Sequence, residues 1–237
     1  MAKIYGQKNE YLIRGDKKNL IIARIFTVIF IIFYVCGVIF LLNYKRHASS
    51  YWIAIFAFFL FWFVADKFLN KSNHFYHGRM AESFILHKLS QLPIEYSIYY
   101  NIKVPTKQGN IDCVVLGPTG IFTIEVKGNS GVIGFDGTKL KGEKIPPEKD
   151  FLKQALFEAL SLHDYIKTEL NRDFFVKPVL VFSSYNIEFK FSTGLINKVF
   201  VTNQRDLLKF ITEQERFLST DIIFSLENVL IDLINNK

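Results

Sequence analysis

The sequence predicts a mixed α/β (α+β) domain with a small mixed sheet, preceded by a two-helix transmembrane hairpin. Three observations predict it. Two long apolar stretches, residues 20–42 and about 51–69, occupy the first third of the chain. The remainder alternates helix-period and strand-period segments in the order α-β-β-β-α-β-β-α-α. Within it, "NIDCVVLGPTGIFTIEVKG", residues 110–128, reads as two short strands about a Gly-Pro-Thr-Gly turn.

The 237 residues suffice for one good-sized domain plus an accessory part. Residues 1–19 form a basic tail. "LIIARIFTVIFIIFYVCGVIFLL" (20–42) carries one charge, Arg24, and from Ile25 onward is long enough to cross a bilayer as a helix. "YWIAIFAFFLFWFVA" (51–65), extended to Leu69, gives a second spanning length. Tyr44, Tyr51 and Trp52 fall where an interfacial aromatic belt belongs. Neither stretch has a polar face at helical period, which argues against a buried soluble hairpin. The first is too long for a signal peptide and lacks a small-residue exit. Lys3, Lys8, Arg14, Lys17, Lys18 and Arg24 precede the first span, Lys45 and Arg46 alone lie in the connector, and Lys67, Lys71 and Arg79 follow the second. That asymmetry predicts a multi-pass protein of the cell membrane, in contact with the lipid bilayer, with both termini cytoplasmic.

"NKSNHFYH" (70–77) reads as a polar linker. "RMAESFILHKLSQL" is a helix with Ala81, Phe84, Ile85, Leu89 and Leu92 on its apolar stripe, ended by Pro93. "YSIYYNIKV" (96–104) is a strand stopped by Pro105, and the hairpin follows. Residues 128–150, rich in Gly, Lys and Pro, form a loop with one weak hairpin. "FLKQALFEALSLHDYIKTEL" (151–170) is an amphipathic helix, "KPVLVFSS" (177–184) and "KVFVTN" (198–203) are strands, and residues 204–218 and 220–235 are helices. The domain proper is thus expected over 78–203, with C-terminal helices over 204–237.

Charge narrows the function classes. Residues 1–69 hold nine Lys/Arg and three Asp/Glu, whereas residues 70–237 hold twenty and nineteen. The basic excess belongs to the apolar third and does not mark a nucleic-acid-binding face on the rest. Lys139, Lys141, Lys144, Lys149 and Lys153 crowd the loop and the start of the next helix; a phosphate-facing patch is one reading, and the interleaved Glu143, Glu148 and Asp150 favour a solvated face. Cys36 and Cys113 lie in apolar segments, so no disulfide framework is expected. His74, His77, His87 and His163 show no zinc spacing.

The hairpin is where chemistry is concentrated. In residues 121–127, Phe122, Ile124 and Val126 alternate with Thr123, Glu125 and Lys127, so Glu125 and Lys127 share one strand face. The preceding "IDCVVL" is apolar except for Asp112, as in a strand covered on both faces. If Leu116 pairs with Ile121, Asp112 falls opposite Glu125. Directly opposed Cβ atoms lie about 4.5–5.5 Å apart, and like charges there are destabilising. Such a pair shares a proton, holds a cation or pairs with Lys127. Hard oxygen ligands at that spacing suit Mg2+ or Mn2+, and an internal salt bridge to Lys127 is the alternative reading. The E-x-K pattern alone is weak, since it recurs at Glu188-Phe189-Lys190.

"GNIDCVVLGPTGIFTIEVKG" closely resembles the core of the NERD (nuclease-related) domain family, in which an I-D strand precedes a G-I-F strand ending E-x-K. That family is placed in the PD-(D/E)xK superfamily. The resemblance runs from about Gly78 to Ser184 and implies a restriction-endonuclease-like α-β-β-β-α-β core. It implies Asp112 and Glu125 as metal carboxylates, with the Val126 carbonyl beside them. Lys127 becomes the catalytic lysine, Glu82 the acid of the first helix, and Gln154 the polar residue of the later helix. For Glu82 an exposed helix acid, and for Gln154 a solvated position, are the plainer readings. Departures are Ala81-Glu82 for Gly-Glu, Cys113 for His, "EKDFLKQ" without Asn-Pro, and no Trp in 128–150. The function so implied is a membrane-anchored, Mg-dependent hydrolase of DNA or RNA phosphodiester bonds. A catalytically inactive nucleic-acid-binding or scaffold module is the alternative.

Overall fold

The computed structural model describes residues 1–6, 10–43, 48–105 and 109–235, with part of the side chains in the two N-terminal helices. It divides into two units, Met1–Lys8 with Met80–Lys237, and Asn9–Arg79.

The second unit is helical. α1 (Glu10–Asn43) runs through the first apolar stretch, and α2 (Ala48–Leu89) through the second. Over Leu20–Gly37, α1 is long and apolar enough to cross a membrane, and none of that length is buried; no other helix meets this test among the described residues. Of the expected connector, 43–50, residues 44–47 lie outside the described residues, Asn43 ends α1, and 48–50 open α2. The stretch 70–77, expected as a linker, is helical: no Pro or Gly interrupts it before Gly78, so α2 continues into the first unit.

In that unit, a mixed seven-stranded sheet has the order β1 (Lys3–Gly6), β2 (Ser97–Ile102), β3 (Ile111–Gly117), β4 (Gly120–Lys127), β7 (Val176–Phe182), β10 (Val199–Asn203), β9 (Gly194–Ile196). The β1–β2, β4–β7 and β7–β10 pairs are parallel, and β2–β3, β3–β4 and β10–β9 antiparallel. One face packs on the end of α2 and on α4 (Leu207–Thr212), through Ala81, Ile85, Leu89, Phe122, Ile124 and Ile211. The other packs on α3 (Phe151–Leu170) and α5 (Thr220–Asn235), through Val114, Ile121, Ala159, Leu162 and Leu230. Both faces are covered, so β3 and β4 are buried almost throughout. A small sheet of β6 (Leu140–Gly142), β5 (Gly131–Phe135) and β8 (Ile187–Phe189) realises the weak hairpin expected in 128–150.

The β3–β4 register is Leu116↔Ile121 through Cys113↔Ile124, as the hairpin spacing predicts. The turn is tight. A Cβ at Gly117 would stand 2.2 Å from Tyr96 Cδ1, so only glycine is accommodated there. The Tyr96 and Thr119 hydroxyls share a hydrogen bond of 3.1 Å, and Thr119 Oγ1 donates to the Ile211 carbonyl.

Three expectations need correction. The helix expected over 204–218 is only Leu207–Thr212. Beyond it the chain turns so that Phe217 and Leu218 give their N–H groups to the Pro118 carbonyl at the hairpin turn. The basic tail contains β1, which propensity does not show because a four-residue edge strand exists only by pairing with β2. β9 lies in a stretch with no strand expectation and forms by pairing with β10.

Candidate active site

The site is assembled at the start of β3 and the end of β4, against the first two turns of α3. Side chains alternate along a strand. Hence Asp112 shares its face with Val114 and Leu116, and Glu125 and Lys127 share theirs with Ile121, all toward α3. That polar strand face is not solvated: Thr123 is 1% and Glu125 3% exposed, because α3 lies over them. α3 begins at its cap Asp150, whose side chain accepts from Lys153 N. This places Gln154 in the first turn and Glu158 one turn on, on the same side.

The contacts are specific. Glu125 Oε1 accepts from Lys127 Nζ and, at 2.7 Å, from Gln154 Nε2. Gln154 Oε1 accepts from Lys127 Nζ at 3.2 Å, and Gln154 Nε2 also donates to Glu158 Oε1 at 3.3 Å. Lys127 Nζ further lies 4.6 Å from the centroid of the Phe151 ring, a favourable cation–π distance. Asp112 Oδ2 accepts from Val126 N at 2.9 Å. The regular pairing of β3 with β4 ends at Cys113↔Ile124, and on the other side Asn101, in a left-handed conformation (φ 56), stands opposite Asp112. The sheet ladder is therefore interrupted on both flanks of Asp112, and its carboxylate takes up a backbone N–H the ladder does not use.

Electrostatics follow from this crowding. Burial pushes the Asp112 carboxyl well above the usual carboxylate range. The charges of Glu125, Glu82 and Glu158 add to the rise, and the Val126 N–H opposes it. Burial acts to lower Lys127, but Glu125, Asp112 and Glu158 outweigh it and the ammonium is held above its ordinary value. Cys113, buried on the opposite face of β3, is raised by burial and by the charges of Asp112, Glu82 and Glu125.

The structure thus brings together Asp112, Glu125, Lys127 and Gln154. Glu82, half-buried on α2, reaches them through its charge at Asp112 and Cys113. Val126 gives its N–H to Asp112, and its carbonyl beside the carboxylates stays an expectation. Glu158, 1% exposed, was not anticipated. The signal was present, since an acid at i+4 from Gln154 sits on the buried stripe of an amphipathic helix between Ala155 and Ala159. Elsewhere, Glu188 and Lys190 are exposed on and beyond β8. Of the loop lysines, Lys139 donates to the Pro147 carbonyl, Lys141 pairs with Asp136, and Lys144 donates to Ser130 Oγ.

Among the described residues no group of three or more His, Cys, Asp or Glu side chains is arranged to hold a metal ion. The donor chemistry nonetheless fits a hard cation held by two carboxylates, with water and substrate oxygens completing its shell. Glu125 Oε2 is buried without a hydrogen-bond partner among the described residues, and an orphaned carboxylate oxygen beside a second acid is the environment such an ion relieves.

Comparison with known proteins finds no match among curated proteins and none among solved structures. Residues 77–183, which hold Glu82, Asp112, Glu125, Lys127, Gln154 and Glu158, match the model of the NERD family, the nuclease-related domain that the hairpin resembles.

Proposed function

We propose that this domain is a metal-dependent nuclease that hydrolyses phosphodiester bonds of DNA or RNA at the Asp112–Glu125–Lys127 site, and that it is anchored to a membrane. The observation that carries the first part is the convergence of Lys127 Nζ with Glu125 Oε1 and Gln154 Oε1 beside a second crowded acid, Asp112. Asp112 and Glu125 would hold Mg2+ or Mn2+, which when bound supplies a water of lowered pKa and charge stabilisation for phosphate oxygens. The chain's own part is positioning. Lys127, kept cationic by the surrounding acids, offers N–H donors to a developing phosphate charge. Gln154 ties that ammonium to Glu125, and Glu82 adds negative charge that favours a cation at Asp112.

The test uses the full chain in detergent or nanodiscs, with Mg2+ or Mn2+ and DNA or RNA. Cleavage is expected, and Asp112→Ala or Lys127→Ala is expected to lower it by about 10²- to 10³-fold. Cleavage that survives both substitutions rejects the assigned site. One observation favours a non-cleaving binding module, namely that among the described residues no three His, Cys, Asp or Glu side chains are grouped to hold a metal ion. Calorimetry showing metal and nucleic-acid binding without turnover would select it.

For the anchor, the reading is two spans, about 20–42 and 51–69, with both termini cytoplasmic. Its supports are the apolar, unburied Leu20–Gly37 stretch and the exposure of Phe56, Phe59, Leu60, Trp62 and Phe63 on α2. The Lys/Arg asymmetry supplies the orientation.

A further inference from the structure

We propose that Glu158 is a positioning residue of this site: it holds the Gln154 side-chain amide in one orientation and, through it, aims the Lys127 ammonium. The proposal rests on the nuclease reading for its kinetic consequence, but its geometry stands on the contacts alone.

An amide side chain has one accepting oxygen and one NH2 group with two hydrogens, and turning it over exchanges them. At Gln154 the oxygen accepts from Lys127 Nζ, and Nε2 faces Glu125 Oε1 at 2.7 Å and Glu158 Oε1 at 3.3 Å. In the reversed orientation the oxygen would face two carboxylates and the NH2 group would face an ammonium. Every contact would become repulsive. With Glu125 alone, which Lys127 already neutralises in part, that discrimination is weaker, and the second acid makes it one-sided.

The placement of Glu158 is costly on packing grounds. It is 1% exposed on the buried stripe of α3, where the flanking positions are Ala155, Ala159 and Leu162. A buried carboxylate among apolar residues is destabilising unless it is engaged by hydrogen bonds and charge. Within the site, its charge contributes to the field that keeps Lys127 cationic, and its Oε1 accepts from Gln154 Nε2. Gln154 itself is exposed, and its amide is held by hydrogen bonds to Lys127, Glu125 and Glu158.

The test is a double-variant comparison on the full chain in nanodiscs with Mn2+ and a labelled oligonucleotide. Glu158→Ala is expected to lower kcat by about 10- to 100-fold, with KM for the oligonucleotide nearly unchanged. Glu158→Gln keeps an accepting oxygen for Gln154 Nε2 and is expected to restore most of the rate. Because Glu158 acts through Gln154, adding Glu158→Ala to Gln154→Ala is expected to cost little beyond Gln154→Ala alone. Additive losses, or a Glu158→Gln variant as slow as Glu158→Ala, overturn the proposal. Failure of the nuclease reading shows separately, as absence of cleavage by the native chain. Thermal unfolding without metal then decides: Tm shifts of Gln154→Ala and Glu158→Ala that fail to add support the coupling, and additive shifts overturn it.

Discussion

At Asp112 three effects compete, and their balance sets a prediction. Burial and the charges of Glu125, Glu82 and Glu158 oppose ionisation, and one N–H from Val126 favours it. The folded chain therefore holds the Asp112 proton to higher pH than the unfolded chain. Below the ordinary carboxylate value of about 3.9 both states are protonated and the group contributes nothing. As pH rises past that value the unfolded chain ionises freely and the folded one does so at a cost, so stability is lost until the folded value is passed. Asp112→Asn keeps an accepting oxygen for Val126 N–H and removes the charge. In the metal-free chain it is expected to be more stable than the native protein at neutral pH, by up to about 1 kcal/mol. The difference should vanish toward pH 4. Thermal unfolding across that range checks it, and a Tm difference independent of pH contradicts the assignment. A residue that destabilises the empty fold is what a cation site would require.

At the scale of elements, the site stands on a helix and a hairpin that are strongly specified locally, in a sheet whose edge strand β1 is not. α3 and the β3–β4 register follow from periodicity and turn chemistry. β1 forms because Tyr5 stacks on Tyr99, with ring centroids 5.2 Å apart, and because Gly6 admits the close passage of Tyr100. At Gly6 φ is +138, and a Cβ would stand 2.3 Å from the Tyr100 carbonyl oxygen. Gly6→Ala is expected to destabilise the β1 pairing by roughly 1–3 kcal/mol. Faster amide hydrogen exchange in residues 97–102 is the measurement, and unchanged exchange would show that β1 does not depend on this conformation. A fragment starting at residue 70 lacks β1 altogether and leaves the β2 edge unpaired.

For the whole molecule, the β1–β2 pairing constrains how the chain can meet a bilayer. Residues 3–6 and 97–102 belong to one sheet, so they lie on the same side of any membrane. The chain between them then crosses an even number of times. If α1 crosses over Leu20–Gly37, a second crossing must follow, and the exposed aromatic stretch of α2 is where it is expected. In a Cys36→Ser background, in which Cys113 is buried, single cysteines replacing Lys3 and Lys209 should label from the same side. A cysteine replacing Ser49 should label from the other. Lys3 and Lys209 labelling from opposite faces would refute the two-span reading, as would Ser49 labelling with them.

The sequence by itself determined the apolar α1 stretch, the α3 helix, the hairpin and its register, because these follow from short-range periodicity and turn residues. It also carried the resemblance that pointed to Asp112, Glu125, Lys127 and Gln154. What only the tertiary structure decided were the features made by distant partners. α3 covers the polar face of β4 and buries Thr123 and Glu125 there. Glu158 meets Gln154 and acquires a role that an isolated helical acid lacks. The helix expected over 204–218 stops short because the backbone beyond it is drawn to Pro118, and the tail gains a strand because β2 is there to receive it. In each case, burial or a hydrogen bond from residues far along the chain outweighs a local preference worth only tenths of a kcal/mol per residue.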